Sequence, residues 1–207
     1  MSLFSEPHLL DSPRWKNMRV GLLGGSFNPP HEGHVHISLM AMRALALDSV
    51  WWLVTPQNPI KELQPLPLEE RMRLSRELID HPKILVSDIE KDMGTSITYH
   101  TIRRLRTRYP HTQFVWISGM DNALGLHKWN HWQGLLNEIC MVHLARPPMQ
   151  SLIRNCPLKM LGTQRHIHID HGGQLPLDSG TTYWMMQKKM VKISSTEIRK
   201  EQIKLVA

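Results

Sequence analysis

Val20-Gly21-Leu22-Leu23-Gly24-Gly25-Ser26-Phe27-Asn28-Pro29-Pro30-His31-Glu32-Gly33-His34 joins an apolar run to a glycine pair, a Pro-Pro turn and two histidines. The run from Met18 to Leu23 lacks polar alternation, which predicts a strand buried on both faces, as in a parallel sheet. Gly24 and Gly25 let backbone approach a ligand closely, and the helix that follows offers unpaired N–H groups to an anion. Two imidazoles at that helix start, His31 and His34, add donors that can reach phosphate oxygens. Strand, glycine turn and histidine-bearing helix start together describe a nucleotide phosphate site. The plainer alternative is an ordinary strand-to-helix loop with histidines that merely cap the helix. The His31-x-Gly33-His34 spacing weighs against it, because Gly33 brings the helix backbone close to whatever both histidines face.

Outward from that stretch, strands and helices alternate. A helix over Glu32–Ala46 carries Val35, Leu39, Met42 and Ala46 at helical spacing. Val50–Val54 reads as a second strand, Thr55–Pro67 as a Pro-rich loop and Leu68–Ile79 as a helix. Ile84–Val86 is a short strand, Ser96–Arg108 a helix, and Gln113–Ser118 and Ile139–Leu144 two further strands. The segment from Arg146 to Asp178 has no clear period and reads as irregular. Such alternation predicts right-handed crossovers and an α/β fold with a doubly wound parallel sheet. Ligands then bind beyond the carboxyl ends of the strands. Gly24-Gly25 and Gly119 both fall at such ends.

Composition sets bounds around this picture. The 207 residues suffice for one sizeable core, read here as a single domain with residues 1–17 as a flexible N-terminal extension. No apolar run approaches membrane-spanning length, and residues 1–17 lack a secretory apolar stretch. Two cysteines, Cys140 and Cys156, argue against a disulfide framework and for a reducing, cytoplasmic compartment. The formal net charge is +7. Basic residues cluster at Arg103, Arg104, Arg106 and Arg108 and again at Lys188, Lys189 and Lys192. No RNP-type aromatic pattern, zinc-finger spacing or helix-turn-helix signature accompanies them. A basic field also attracts anionic small molecules, so nucleic acid is the lesser reading.

Near the other end, Ile193-Ser194-Ser195-Thr196-Glu197-Ile198-Arg199 has its own chemistry. Ser194 and Glu197 fit a capping box. Ser195 and Thr196 then occupy a first turn whose N–H groups lack intrahelical partners, and Arg199 can share Thr196's face. A hydroxyl, free amides and a guanidinium converging on one spot suit a triphosphate tail. Alone, this stretch would be a well-capped surface helix.

The two stretches together resemble the paired HxGH and ISSTxIR motifs of a nucleotidyltransferase superfamily with a Rossmann-like fold. The chain resembles its bacterial nicotinate-nucleotide adenylyltransferase branch. Relatives that act on pantetheine phosphate or glycerol phosphate usually carry Thr at the position of His31. The resemblance spans about residues 18–200. It implies adenylyl transfer from ATP to nicotinate mononucleotide, in line and without a covalent intermediate, with Mg²⁺ bound mainly through the ATP phosphates. The implied catalytic residues are His31, His34 and Arg199. Gly24, Gly25, Ser26, Phe27, Gly33, Arg146, Ser195 and Thr196 would join them in holding ATP. Asn28, Lys61, Thr98, Gly119, Asp121 and Trp129 would hold the acceptor and the ribose. Read without the resemblance, Asp121 could be a helix N-cap, Trp129 or Trp132 a core aromatic, and Lys61 a solvated side chain.

Three departures accompany the resemblance. Asn28 stands where aspartate is common, Ile97 stands where tyrosine is common, and the chain ends at Ala207, soon after the second motif. No third or fourth ligand joins the histidine pair, so no protein metal site is expected. A homo-oligomer is compatible with the sequence. Two other activities stay open at this level: transfer to nicotinamide mononucleotide, and a non-catalytic nucleotide- or RNA-binding module built on the same cradle.

Overall fold

A computed structural model of the chain describes residues 12–56, 66–145, 156–169 and 172–186. Seven strands form one sheet: β1 (Arg19–Gly25), β2 (Ser49–Val54), β3 (Ile84–Ser87), β4 (Gln113–Gly119), β5 (Cys140–Ala145), β6 (Arg165–Ile169) and β7 (Thr181–Met186). Their spatial order is β3-β2-β1-β4-β5-β7-β6, and every pairing is parallel. The helices are α1 (Glu32–Ala44), α2 (Leu68–Leu78), α3 (Ile89–Asp92), α4 (Thr98–Arg108), α5 (Met120–Gly125) and α6 (Trp132–Glu138). The order reverses between β1 and β4, and the carboxyl ends of those two strands lie side by side, with Leu23 paired to Ile117. That is where a doubly wound sheet opens its ligand crevice.

Alternation along each strand builds two cores. On one face Val20, Leu22, Trp51, Trp116, Met141 and Trp184 pack with Ile102, Leu105, Met120 and Leu135 of α4 to α6. On the other, Leu23, Val50, Trp52, Ile117 and Val142 pack with Ile37, Ala41 and Met72 of α1 and α2. Both faces of the central strands are therefore dry, which is why β2 reads as an unbroken apolar run with no polar period.

Element boundaries shift slightly from the sequence expectation. α1 stops at Ala44, because Leu45 leaves the helical region and Ala46 takes a positive φ of 48°. α4 begins at Thr98, after an extended Ile97. The stretch expected to be irregular contains β6, and β7 follows just beyond it. β6 does alternate, His166-Ile167-His168-Ile169, but at five residues the pattern is too short to stand out from its surroundings. The described part of the N-terminal stretch is not a flexible extension. Ser12–Trp15 is a 3₁₀ turn, and Trp15 is buried edge-on against Trp51 at 4.8 Å between centroids. Cys140 and Cys156 are both free and buried. Arg103, Arg104, Arg106 and Arg108 are exposed on α4, and Arg103 and Arg106 pair with Glu138. No helix among the described residues is long and apolar enough to cross a membrane.

One polar pair sits inside the first core. Ser118 on β4 and His143 on β5 are paired neighbours, and Ser118 Oγ lies 2.7 Å from His143 Nδ1. Burial, with nearby His166 adding to it, pushes the His143 imidazole down to about 3. The folded chain holds it neutral, while the unfolded chain protonates it near the ordinary value of 6.5. Its contribution to stability is complete above pH 6.5 and is lost as the pH falls toward 3, at up to about 1.4 kcal/mol per pH unit. Urea titrations at descending pH should therefore show a shallower acid loss for His143→Gln than for the wild type. Equal slopes in the two proteins would remove His143 from the acid transition.

Candidate active site

β1 delivers its chain to the crevice through Gly24 and Gly25, and Gly24 is there for space. A Cβ on Gly24 would lie 2.3 Å from the Cη2 of Trp116, the β4 tryptophan that is 2% exposed. After Ser26, the chain turns at Phe27 with a positive φ of 46°. The Phe27 ring is buried, stacked on Trp52 at 4.8 Å and 14°, and 4.8 Å from the His34 ring. Phe27 can therefore serve a nucleotide only through its backbone. Its ring is a buttress for His34. The Asn28 Oδ1 accepts the Leu66 N–H at 3.2 Å, so the side chain at this departure from the family pattern ties the loop to the approach of α2.

His31 is the N-cap of α1, in extended backbone with φ −153°. Its Nδ1 accepts the Gly33 N–H at 3.1 Å, while the Nδ1 of His34 reaches back to accept the His31 N–H, also at 3.1 Å. The two rings lie 3.8 Å apart. This is a capping box with imidazoles in place of hydroxyl and carboxylate. It has a chemical consequence. An Nδ1 that accepts a backbone N–H carries no proton, so in each neutral ring the proton sits on Nε2. The pair thus presents two Nε2–H donors at a helix N-terminus, and no lone pairs. Such a site stabilises an anion rather than coordinating a metal. Among the described residues, no group of three or more His, Cys, Asp or Glu is placed to hold a metal ion.

Support for His34 comes from residues that the sequence did not single out. The Trp52 Nε1–H donates to Ser38 Oγ at 2.9 Å, and the Ser38 hydroxyl donates to the His34 carbonyl at 2.8 Å. Trp52 meets the His34 ring edge-on at 5.7 Å. The His-x-Gly-His spacing marks the helix start, but nothing in a linear sequence says that a tryptophan from the next strand lies beneath it.

Across the switch point, β4 ends at Gly119, the N-cap of α5, with no side-chain capping bond. Asp121 is therefore not the N-cap. It is exposed in the first turn, its Oδ1 only 2.7 Å from where a Gly119 Cβ would be. Any side chain at 119 would push this carboxylate away. Trp129 follows the 3₁₀ turn Leu126–Lys128, half-buried and edge-on to Trp116 at 6.0 Å. Trp116 thus packs beneath Gly24 on one side and against Trp129 on the other. Thr98 opens α4, half-buried. Tyr99 is occupied by packing, its ring 5.2 Å from His131 and close against Gly134. Lys61, Arg146, Ser195, Thr196 and Arg199 lie outside the described residues.

Residues 22–201 match the cytidylyltransferase-like family model. A probable nicotinate-nucleotide adenylyltransferase of a Ruegeria species is 43% identical over 183 residues, covering 88% of this chain and 97% of the relative. One from Cereibacter sphaeroides is 42% identical over 182 residues, with the same 88% and 97% coverage. Among solved structures, the Plasmodium falciparum nicotinic acid mononucleotide adenylyltransferase complexed with NaAD aligns with a TM-score of 0.66 at 18% identity, over 88% of this chain and 83% of that one. At that identity it supports the shared fold.

The double role of His31, cap and donor, can be separated. His31→Ala removes the cap acceptor and should lower stability by about 0.5–2 kcal/mol. His31→Asn keeps a good capping side chain and should melt close to the wild type, yet bind Mg-ATP as weakly as His31→Ala does. Thermal denaturation alongside nucleotide titration checks both halves. An Asn variant with wild-type affinity would leave His31 a cap and nothing more.

Proposed function

The chain belongs to the cytidylyltransferase-like family, and from that membership we propose that it transfers the adenylyl group of ATP to nicotinate mononucleotide, forming deamido-NAD and pyrophosphate. It is a nucleotidyltransferase of NAD biosynthesis. The structural observation that carries this reading is the imidazole capping box, two fixed N–H donors at the switch point of a parallel sheet.

No side chain has to become covalently attached. An oxygen of the acceptor's phosphate attacks the α-phosphorus of ATP, a new P–O–P bridge forms, and the bond to the leaving pyrophosphate breaks in line. Catalysis is then positioning together with charge stabilisation. His34 Nε2–H, buttressed by Phe27 and Trp52, donates to the non-bridging α-phosphoryl oxygens as their charge grows. His31 donates beside it. Gly24, Gly25, Ser26, the Phe27 backbone and Gly33 leave room for the triphosphate. Asn28, on the loop after β1, would hold the ribose and acceptor together with Gly119, Asp121, Thr98 and Trp129. Lys61, Arg146, Ser195, Thr196 and Arg199 complete the proposed set, the last three on the β- and γ-phosphates. Mg²⁺ would enter on the ATP phosphate oxygens and supply charge neutralisation there, because the histidine pair offers it no lone pairs.

The test is pyrophosphate release from Mg-ATP with nicotinate mononucleotide and, separately, with nicotinamide mononucleotide. A strong preference for the acid is expected. Equal or reversed rates would move the activity to the amide, and no release with either would leave a nucleotide-binding module. His34→Ala should lose about 10²–10³-fold in kcat, the usual loss for one oxyanion donor, with its fold intact.

A further inference from the structure

Two buried charged side chains outside the proposed substrate contacts join its two halves. Arg71 on α2 is 1% exposed, and its guanidinium is spent on backbone carbonyls of three separate segments. Nη1 donates to Ser26 O at 2.7 Å and to Thr55 O at 2.8 Å, Nη2 to Pro56 O at 3.1 Å, and Nε to Leu66 O at 2.8 Å. Glu90 on α3 is 4% exposed; it takes the Thr101 hydroxyl on Oε1 at 3.0 Å and is also hydrogen-bonded to the Thr55 side chain. Thr55 is the shared member. Its N–H donates to Gly25 O at 3.0 Å, its carbonyl receives Arg71, and its side chain meets Glu90. Thr101 lies one helical turn from Thr98, on the same face of α4.

We propose that Arg71, Thr55 and Glu90 are positioning residues that set the distance between the two substrates: one buried hydrogen-bonded chain runs from the Ser26 carbonyl in the glycine loop, through Arg71, Thr55 and Glu90, to Thr101 on the helix that presents Thr98. This rests on the reading that the glycine loop holds ATP and that α4 faces the acceptor. The chemistry of the link fits the task. A planar guanidinium holds several carbonyls at fixed angles, which an ammonium cannot do. A carboxylate fed by two hydroxyls fixes both of them, and in a dry site neither hydroxyl has water as a substitute partner. An in-line displacement needs its reacting atoms within a narrow geometry, and an error of about 1 Å is worth up to about 10²-fold. A rigid link between the cradles supplies that tolerance, whereas two helices packed only by apolar contacts can slide.

Simple structural roles would lower the folded fraction and leave the affinities of the folded protein alone. Calorimetric titration of the full chain with Mg-ATP and, separately, with nicotinate mononucleotide reads the difference, with thermal melts to confirm folding. Thr55→Val removes one hydroxyl at nearly constant shape, and Glu90→Ala removes its partner. Both should weaken the mononucleotide by about tenfold or more while changing Mg-ATP less. Glu90→Gln, which keeps one acceptor for a hydroxyl and offers an N–H to the other, whose oxygen can accept it, should recover most of the loss. Arg71→Lys should instead weaken Mg-ATP. Because the residues lie on one chain, the Arg71→Lys, Glu90→Ala double variant should lose less turnover than the product of the single losses. Folded variants with both affinities unchanged, or losses that simply multiply, would overturn the proposal. A wild-type chain that binds both nucleotides without releasing pyrophosphate would overturn the proposed activity instead, and one that binds neither would overturn both.

Discussion

His31 and His34 cap α1 reciprocally, and that pair of hydrogen bonds fixes the geometry of the phosphate end of the site. A helix start leaves backbone N–H groups unpaired, and most proteins satisfy them with a hydroxyl or a carboxylate. Here imidazole Nδ1 atoms do so, at 3.1 Å on both sides of the box. One hydrogen bond per ring thereby fixes ring orientation, tautomer and the direction of the remaining N–H. The same bonds that stabilise the helix also prepare it for an anion. Carboxylates could cap this helix equally well, but they would repel a phosphate.

Keeping the box in register takes support from three strands. Phe27 follows β1, is stacked on Trp52 of β2 and touches the His34 ring. Trp116 of β4 packs beneath Gly24 and beside Trp129. Large aromatic rings under a glycine-rich loop make a stiff floor, since each has few rotamers and many contacts. The parallel sheet brings these residues together because its central strands are buried on both faces, so a tryptophan is tolerated at either. The polar link from Ser26 to Thr101 completes the arrangement on the side of β2 and β3, where apolar packing alone would leave the helices free to shift.

Much of this is written locally in the chain. The dry run before Gly24, the helix period after Glu32 and the strand ending at Gly119 follow from periodicity and turn chemistry, and they place the crevice. His31 and His34 are legible because three residues separate a cap from its capping-box partner. Other parts depend on long-range register, which no local pattern encodes. The Ser118–His143 pair exists because β4 and β5 are neighbours at that row. Arg71 reads as one more arginine in a charged amphipathic helix until its four carbonyl acceptors are seen. Asp121 read equally well as a helix cap, a role the backbone gives to Gly119.

The capping box holds both imidazoles in the tautomer with its proton on Nε2. Nitrogen-15 NMR of imidazole-labelled protein near neutral pH measures this directly, because protonated and bare ring nitrogens resonate far apart. For both His31 and His34, Nδ1 should appear as the bare nitrogen and Nε2 as the protonated one, and addition of Mg-ATP should shift the Nε2 resonances while Nδ1 stays bare. A proton on Nδ1 of either residue, or averaged signals showing rapid tautomer exchange, would contradict it.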